Sequence, residues 1–78
     1  MQVLSSLEDE DGTRCVDVFR RSDGSFGFKE FRRDPEDGGR WTLVADYSDW
    51  RFISPGEALR HAGNVVAWLG MAHPDKVL

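Results

Sequence analysis

The chain has 78 residues, 40% of them hydrophobic and 31% charged, with a net charge of −4 and a single cysteine. That length holds one hydrophobic core, and the lone thiol excludes an internal disulfide. The acidic balance disfavours nonspecific binding to a phosphate backbone, and no apolar run approaches the ~20 residues of a membrane-spanning helix.

A chain this short buries only about 60% of the surface it exposes when unfolded, so its stability margin is thin and self-association is favoured. The opening MQVLSSLEDEDG lacks the basic and long apolar regions of a signal peptide. With one unpaired cysteine, the expected compartment is the cytoplasm.

Residues 1–12 end in the acidic run Glu8, Asp9, Glu10 and Asp11, which repels itself and reads as a flexible, solvated N-terminal segment, although Val3-Leu4 could form an edge strand. TRCVDVFR (13–20) alternates, with Val16 and Val18 on one side and Cys15, Asp17 and Phe19 on the other, as a strand does. In RSDGS, the Asp23-Gly24 pair is suited to the positive φ values of a tight hairpin turn. FGFKEFRR (26–33) is the returning strand, with Phe26 and Phe28 on one face. Phe31 falls out of phase and needs either a bulge or the opposite face.

DPEDGG (34–39) is a loop by composition. RWTLVAD (40–46) is a third strand, carrying Trp41, Leu43 and Ala45 against Thr42 and Val44. YSDWRFI (47–53) reads as a turn and a short extended piece. SPGE then places Ser54 as N-cap, Pro55 at the first helical position and Glu57 three residues after the cap, which is a capping box. Ala58, Leu59, Ala62, Val65, Val66 and Leu69 repeat at helical spacing, so the sequence predicts a helix over 55–69, with Gly70 as its left-handed cap.

The expected fold is therefore α+β: a three-stranded antiparallel meander covered on one face by one C-terminal helix. The single βββα domain spans 13–70, and 71–78 form a tail. Val16, Val18, Phe26, Phe28, Leu43 and the helix stripe supply the core.

SFGFKEF poses the first functional question. Gly24 to Phe31 match the aromatic octamer of RNA-recognition motifs at Phe26, Gly27, Phe28 and Phe31. Gly24, Ser25 and Lys29 replace its basic, glycine and aliphatic positions. That octamer also needs a βαββαβ context with a partner aromatic strand, which this chain lacks. Phe26 and Phe28 are better read as core.

Other chemistry is sparse. Asp9, Asp11 and Gly12 occupy three positions of a calcium loop, but Leu7 and Val18 stand at its first and twelfth places, so the entry carboxylate and bidentate glutamate are missing. Cys15, His61 and His73 lack zinc-ligand spacing. Cys15 could act as a nucleophile only with a base such as His61 beside it, and nothing in the sequence joins them. His61 itself falls on the polar side of the helix. The expectation is a protein that is not an enzyme and needs no cofactor, metal or small-molecule substrate.

Two surpluses remain. One helix covers one face of a sheet, leaving Phe19, Phe31, Tyr47 and Trp50 without assigned cover, with Trp41 or Trp68 as a further candidate, and aromatics dominate interface hot spots. The first hairpin also concentrates Arg20, Arg21, Lys29, Arg32 and Arg33. The aromatics suggest a module that binds another protein or pairs with itself as a homodimer. The cations suggest, as an alternative, an accessory domain that docks on nucleic acid.

CVDVFRRSDGSFGF, WTLVADYS and EALRHAGNVVAWL together resemble small bacterial strand-strand-strand-helix domains of the YegP-like family. The shared features are a hydrophobic strand, an Asp-Gly hairpin, an aromatic strand, a further strand, and a tyrosine-serine step into a helix. Where those domains have an asparagine-glycine step this chain has Gly38-Gly39, and they are typically duplicated where this chain is single. The resemblance implies an order of elements and no activity.

Overall fold

A computed structural model describes residues 1–47 and 49–76 of the chain. Ser48 of the tyrosine-serine step and residues 77–78 of the expected tail lie outside them. The elements run β1 (Gln2–Glu8), β2 (Arg14–Arg20), β3 (Phe26–Arg33), a 3-10 turn (Pro35–Asp37), β4 (Trp41–Asp46), α1 (Pro55–Val65) and α2 (Ala67–Ala72). The strands form one antiparallel sheet in the order β1-β2-β3-β4.

The sheet thus has four strands where three were expected. The acidic run is a hairpin turn that returns β1 onto β2. The Asp9 carboxylate accepts the Thr13 and Arg14 backbone N–H groups at 2.9 and 3.1 Å. The Asp9 carbonyl accepts from Gly12, which takes a φ of 70°. An aspartate whose side chain bridges a hairpin loop in this way is hard to tell from a solvated acid by composition.

The next turn also differs in detail. Gly24 alone has a positive φ, 87°, and Asp23 does not share it. Instead Asp23 Oδ1 accepts from the Ser25 N–H and Oγ at 2.9 and 2.6 Å, while Arg21 and Ser25 close the loop backbone to backbone.

Alternation in β2 decides the rest. Val16, Val18, Phe28, Ala58, Ala62, Val66 and Leu69 form the buried core between the sheet and the helices. Alanines at 58 and 62 let α1 approach the strands closely. Phe26 and Leu59 pack against this core as partly buried neighbours, but Leu43 and Val65 do not belong to it and are exposed. The register between β3 and β4 shifts between Glu30 and Phe31, leaving Val44 as an extra residue, and Leu43 pairs with Phe31 on the other face.

Ser54 caps α1 as expected, its Oγ accepting the Glu57 N–H at 3.1 Å. The expected single helix, however, breaks at Val66, whose φ and ψ of −107° and 98° are extended. Asn64, Val65 and Val66 are poor helix formers, so a break costs little there. Gly70 then lies inside α2 and does not cap it. The break lets Trp68 Nε1 donate to the buried carboxylate of Glu30 at 3.1 Å. It also brings His73 Nε2 to donate to the Glu8 carbonyl at 2.7 Å, tying the end of α2 to β1. Phe52 is the short extended piece, exchanging backbone hydrogen bonds with Phe26 at 2.9 and 3.0 Å.

Candidate site on the open face of the sheet

Both helices lie on one face of the sheet, against β1, β2 and β3. The opposite face has no helical cover. Pairing places Glu8 beside Cys15, Ser6 beside Asp17, Cys15 beside Phe31, Asp17 beside Lys29, Phe19 beside Gly27 and Leu43 beside Phe31 on that face. Phe31 therefore sits on the opposite face to Phe26 and Phe28, the second of the two placements open to it.

Along β3 and β4, Phe31, Trp41 and Leu43 share the open face as an apolar row. Trp41 is 40% exposed and Leu43 47% exposed. Ser6, Glu8, Cys15 and Asp17 of β1 and β2, with Phe31, Arg33 and Trp41, line a shallow hollow of about 400 Å3.

The polar groups of the hollow are already engaged with each other. Asp17 Oδ1 accepts from Ser6 Oγ at 2.7 Å and from Cys15 Sγ at 3.3 Å. Burial, then the hydrogen bond to Asp17 and the negative charges of Asp17 and Glu8, push the Cys15 thiol up to about 12. A thiol held protonated is a poor nucleophile. His61 cannot help it, because His61 packs against Phe28 on the other side of the sheet. Among the described residues, no group of three or more His, Cys, Asp or Glu side chains could hold a metal ion.

The four aromatics singled out from sequence do not form one surface. Phe19 is on the open face but only 2% exposed, beneath Arg21 at 4.9 Å and Lys29 at 5.5 Å from its ring centroid. Tyr47 and Trp50 lie on the helix side. The Tyr47 ring is 4.6 Å from Phe28, and Trp50 meets His61 edge-on at 4.4 Å. Only Phe31 of the four contributes to the hollow. Leu43 and Ser6 were not singled out from sequence, and Trp41 only as a further candidate beside Trp68; the extra residue Val44, which turns Leu43 and Trp41 to this face, leaves no mark in the sequence.

The cations divide as well. Lys29, Arg33 and Arg21 are on the open face, whereas Arg20 and Arg32 share the parity of Phe26 and Phe28. Arg33 Nε donates to the Gly12 carbonyl at 2.7 Å, its guanidinium lies 3.6 Å from Glu8, and it stacks on Trp41 at 4.6 Å. Arg21 donates to the Phe26 carbonyl at 3.1 Å.

His61 is placed differently from the solvated position its helix phase suggested. It packs among Trp50, Phe52 and Phe28, and its Nε2 is buried without a hydrogen-bond partner among the described residues.

No family model, curated protein or solved structure matches this chain. No helix among the described residues is long and apolar enough to cross a membrane.

Proposed function

We propose that this chain is a non-enzymatic interaction module that binds another polypeptide, in the cytoplasm, through the open face of its sheet. One observation carries this reading. Among the described residues the helices cover one face only, and the other face presents Phe31, Trp41 and Leu43 as an apolar row, with Phe31 and Trp41 lining the hollow. A sheet face of that character is stable when a second surface excludes water from it.

The chemistry of the hollow supports binding over catalysis. Its carboxylate is occupied by Ser6 and Cys15, and its thiol stays protonated. The hairpin cations give less support to a phosphate-docking role, because Arg21 and Arg33 are committed to internal carbonyls and aromatic rings.

A photo-crosslinking amino acid at position 41, compared with one at position 60 on exposed helix surface, tests this in cells. Position 41 should give a discrete polypeptide adduct and position 60 none. Absence of an adduct at 41, or equal adducts at both positions, overturns the proposal.

A further inference from the structure

We infer that the polypeptide bound by the open face places a cationic side chain, lysine or arginine, in the hollow, with its charge at Asp17 and its stem against Phe31 and Trp41. This deepens the interaction reading above and rests on it.

The first argument is the sign of the hollow. Two carboxylates, Glu8 and Asp17, line it against one cation, Arg33. Arg33 is already engaged: it donates to the Gly12 carbonyl, lies 3.6 Å from Glu8 and stacks on Trp41. The Cys15 sulfur in the same hollow reports the balance. Burial is the largest cause of its raised pKa, and of the charges acting on it Asp17 and Glu8 each outweigh the opposing Arg33. A cation entering here meets a net negative field.

The second argument is the capacity left on Asp17. Its Oδ1 accepts from Ser6 and Cys15, while Oδ2 has no hydrogen bond from any described residue. Lys29 is its cross-strand neighbour, yet no ion pair joins them among the described residues. The Lys29 ammonium lies instead over the Phe19 ring, 5.5 Å from its centroid, and Asp46 adjoins Lys29 from β4 on the same face. Arg21, the remaining cation of the face, lies over Phe19 beyond the end of β2.

The third argument is the match to the side chain. Lysine and arginine join an apolar stem to a charged tip. The hollow offers a counterpart to each, Phe31 and Trp41 for the stem and Asp17 for the tip. An anionic or wholly apolar side chain would leave Asp17 covered without a partner, which is costly.

A photo-crosslinking amino acid at position 43 tests this in cells, because Leu43 is on the open face but does not line the hollow. Adduct yield is compared in wild-type, Asp17→Asn, Lys29→Gln and Glu57→Gln backgrounds. Asp17→Asn should lower the yield several-fold, because the asparagine oxygen keeps the bonds from Ser6 and Cys15 but carries no charge. Lys29→Gln should raise it, because it removes a cation beside Asp17. Glu57→Gln changes the net charge as much as Asp17→Asn does, but on α1 at the other face, and should leave the yield unchanged. Sequencing of the adduct should find a lysine or arginine close to the crosslinked position.

A circular dichroism melt of each purified variant checks that it is folded. Should Asp17→Asn unfold, Glu8→Gln serves as the neutralising variant, with the same fall expected. A yield that the neutralising variant does not lower, or that Lys29→Gln does not raise, overturns the cationic side chain and leaves the interaction reading standing. An adduct sequence without lysine or arginine near the crosslink does the same. An equal fall with Glu57→Gln also overturns it, since the bound polypeptide would then respond to net charge alone. If neither position 41 nor position 43 gives an adduct, both fall.

Discussion

The ring of Phe19 lies across the backbone of Gly27 on the neighbouring strand. The two are cross-strand partners, and a Cβ at Gly27 would stand 2.9 Å from Phe19 Cζ and 2.7 Å from the Arg21 guanidinium. Gly27 is thus required for closeness of approach, and its backbone is ordinary strand. The glycine in SFGFKEF is a seat for an aromatic ring, which then carries the Arg21 and Lys29 cations above it.

Gly27→Ala should therefore destabilise the domain. Restricting the unfolded chain favours alanine by ~0.4–1 kcal/mol, whereas displacing a packed ring costs ~1–3 kcal/mol. The steric loss wins. Denaturant melts should show a lower midpoint with an unchanged slope, and Phe19→Leu in the same background should recover part of the loss.

Ser54→Ala removes the acceptor for the Glu57 N–H and should cost about 1 kcal/mol. Ala58 and Ala62 of the same helix are fully buried against the sheet. The loss should therefore appear as one cooperative transition, seen at the same midpoint by tryptophan fluorescence and far-UV circular dichroism.

Cys15 should react slowly with thiol reagents in the folded protein, even at pH 9, because burial and Asp17 hold the thiol up to about 12. Labelling should accelerate only as the chain unfolds, and its rate should track denaturant concentration. Rapid labelling under native conditions would show a thiolate that this environment does not favour.

Asp9 provides a test in acid. Slight burial raises its pKa, but hydrogen bonds from Arg14, Thr13 and Gly12 outweigh this and hold it below its usual value of 3.8. The folded carboxyl therefore binds a proton less readily than the unfolded one. Its stabilisation is present above pH 3.8 and is lost as pH falls through the lower folded value. Asp9→Asn keeps an acceptor for the turn but does not titrate. Its stability should fall less steeply than wild type below pH 3.8, as followed by urea midpoints against pH.

The legible parts of the fold were those fixed by local chemistry. Alternation of Val16 and Val18 against Cys15 and Phe19 marked both faces of β2, and Ser54 with Pro55 marked the start of α1. What was hidden depended on distant partners. Strand β1 is legible only once Asp9 is known to close a turn, and an acidic run advertises solvation instead. The extra residue Val44 exchanges the faces of β4, so counting by twos put Leu43 in the core. The break at Val66 serves the Trp68-Glu30 bond, whose members are far apart in sequence. The site suffered for the same reason. Phe31 was visible as a surplus aromatic, but its neighbour Leu43 was counted into the core by the wrong phase, and alternation alone did not fix the face of Trp41.

Trp41 and Trp50 offer the most direct measurement. They are 40% and 39% exposed in the single chain, the first on the open face and the second on the helix side. Hydroxyl-radical footprinting should oxidise them at similar rates in dilute protein. Labelling within cells should protect Trp41 several-fold and leave Trp50 unchanged. Equal oxidation of the two under all conditions, or protection of Trp50 instead, would contradict an open sheet face that binds a polypeptide.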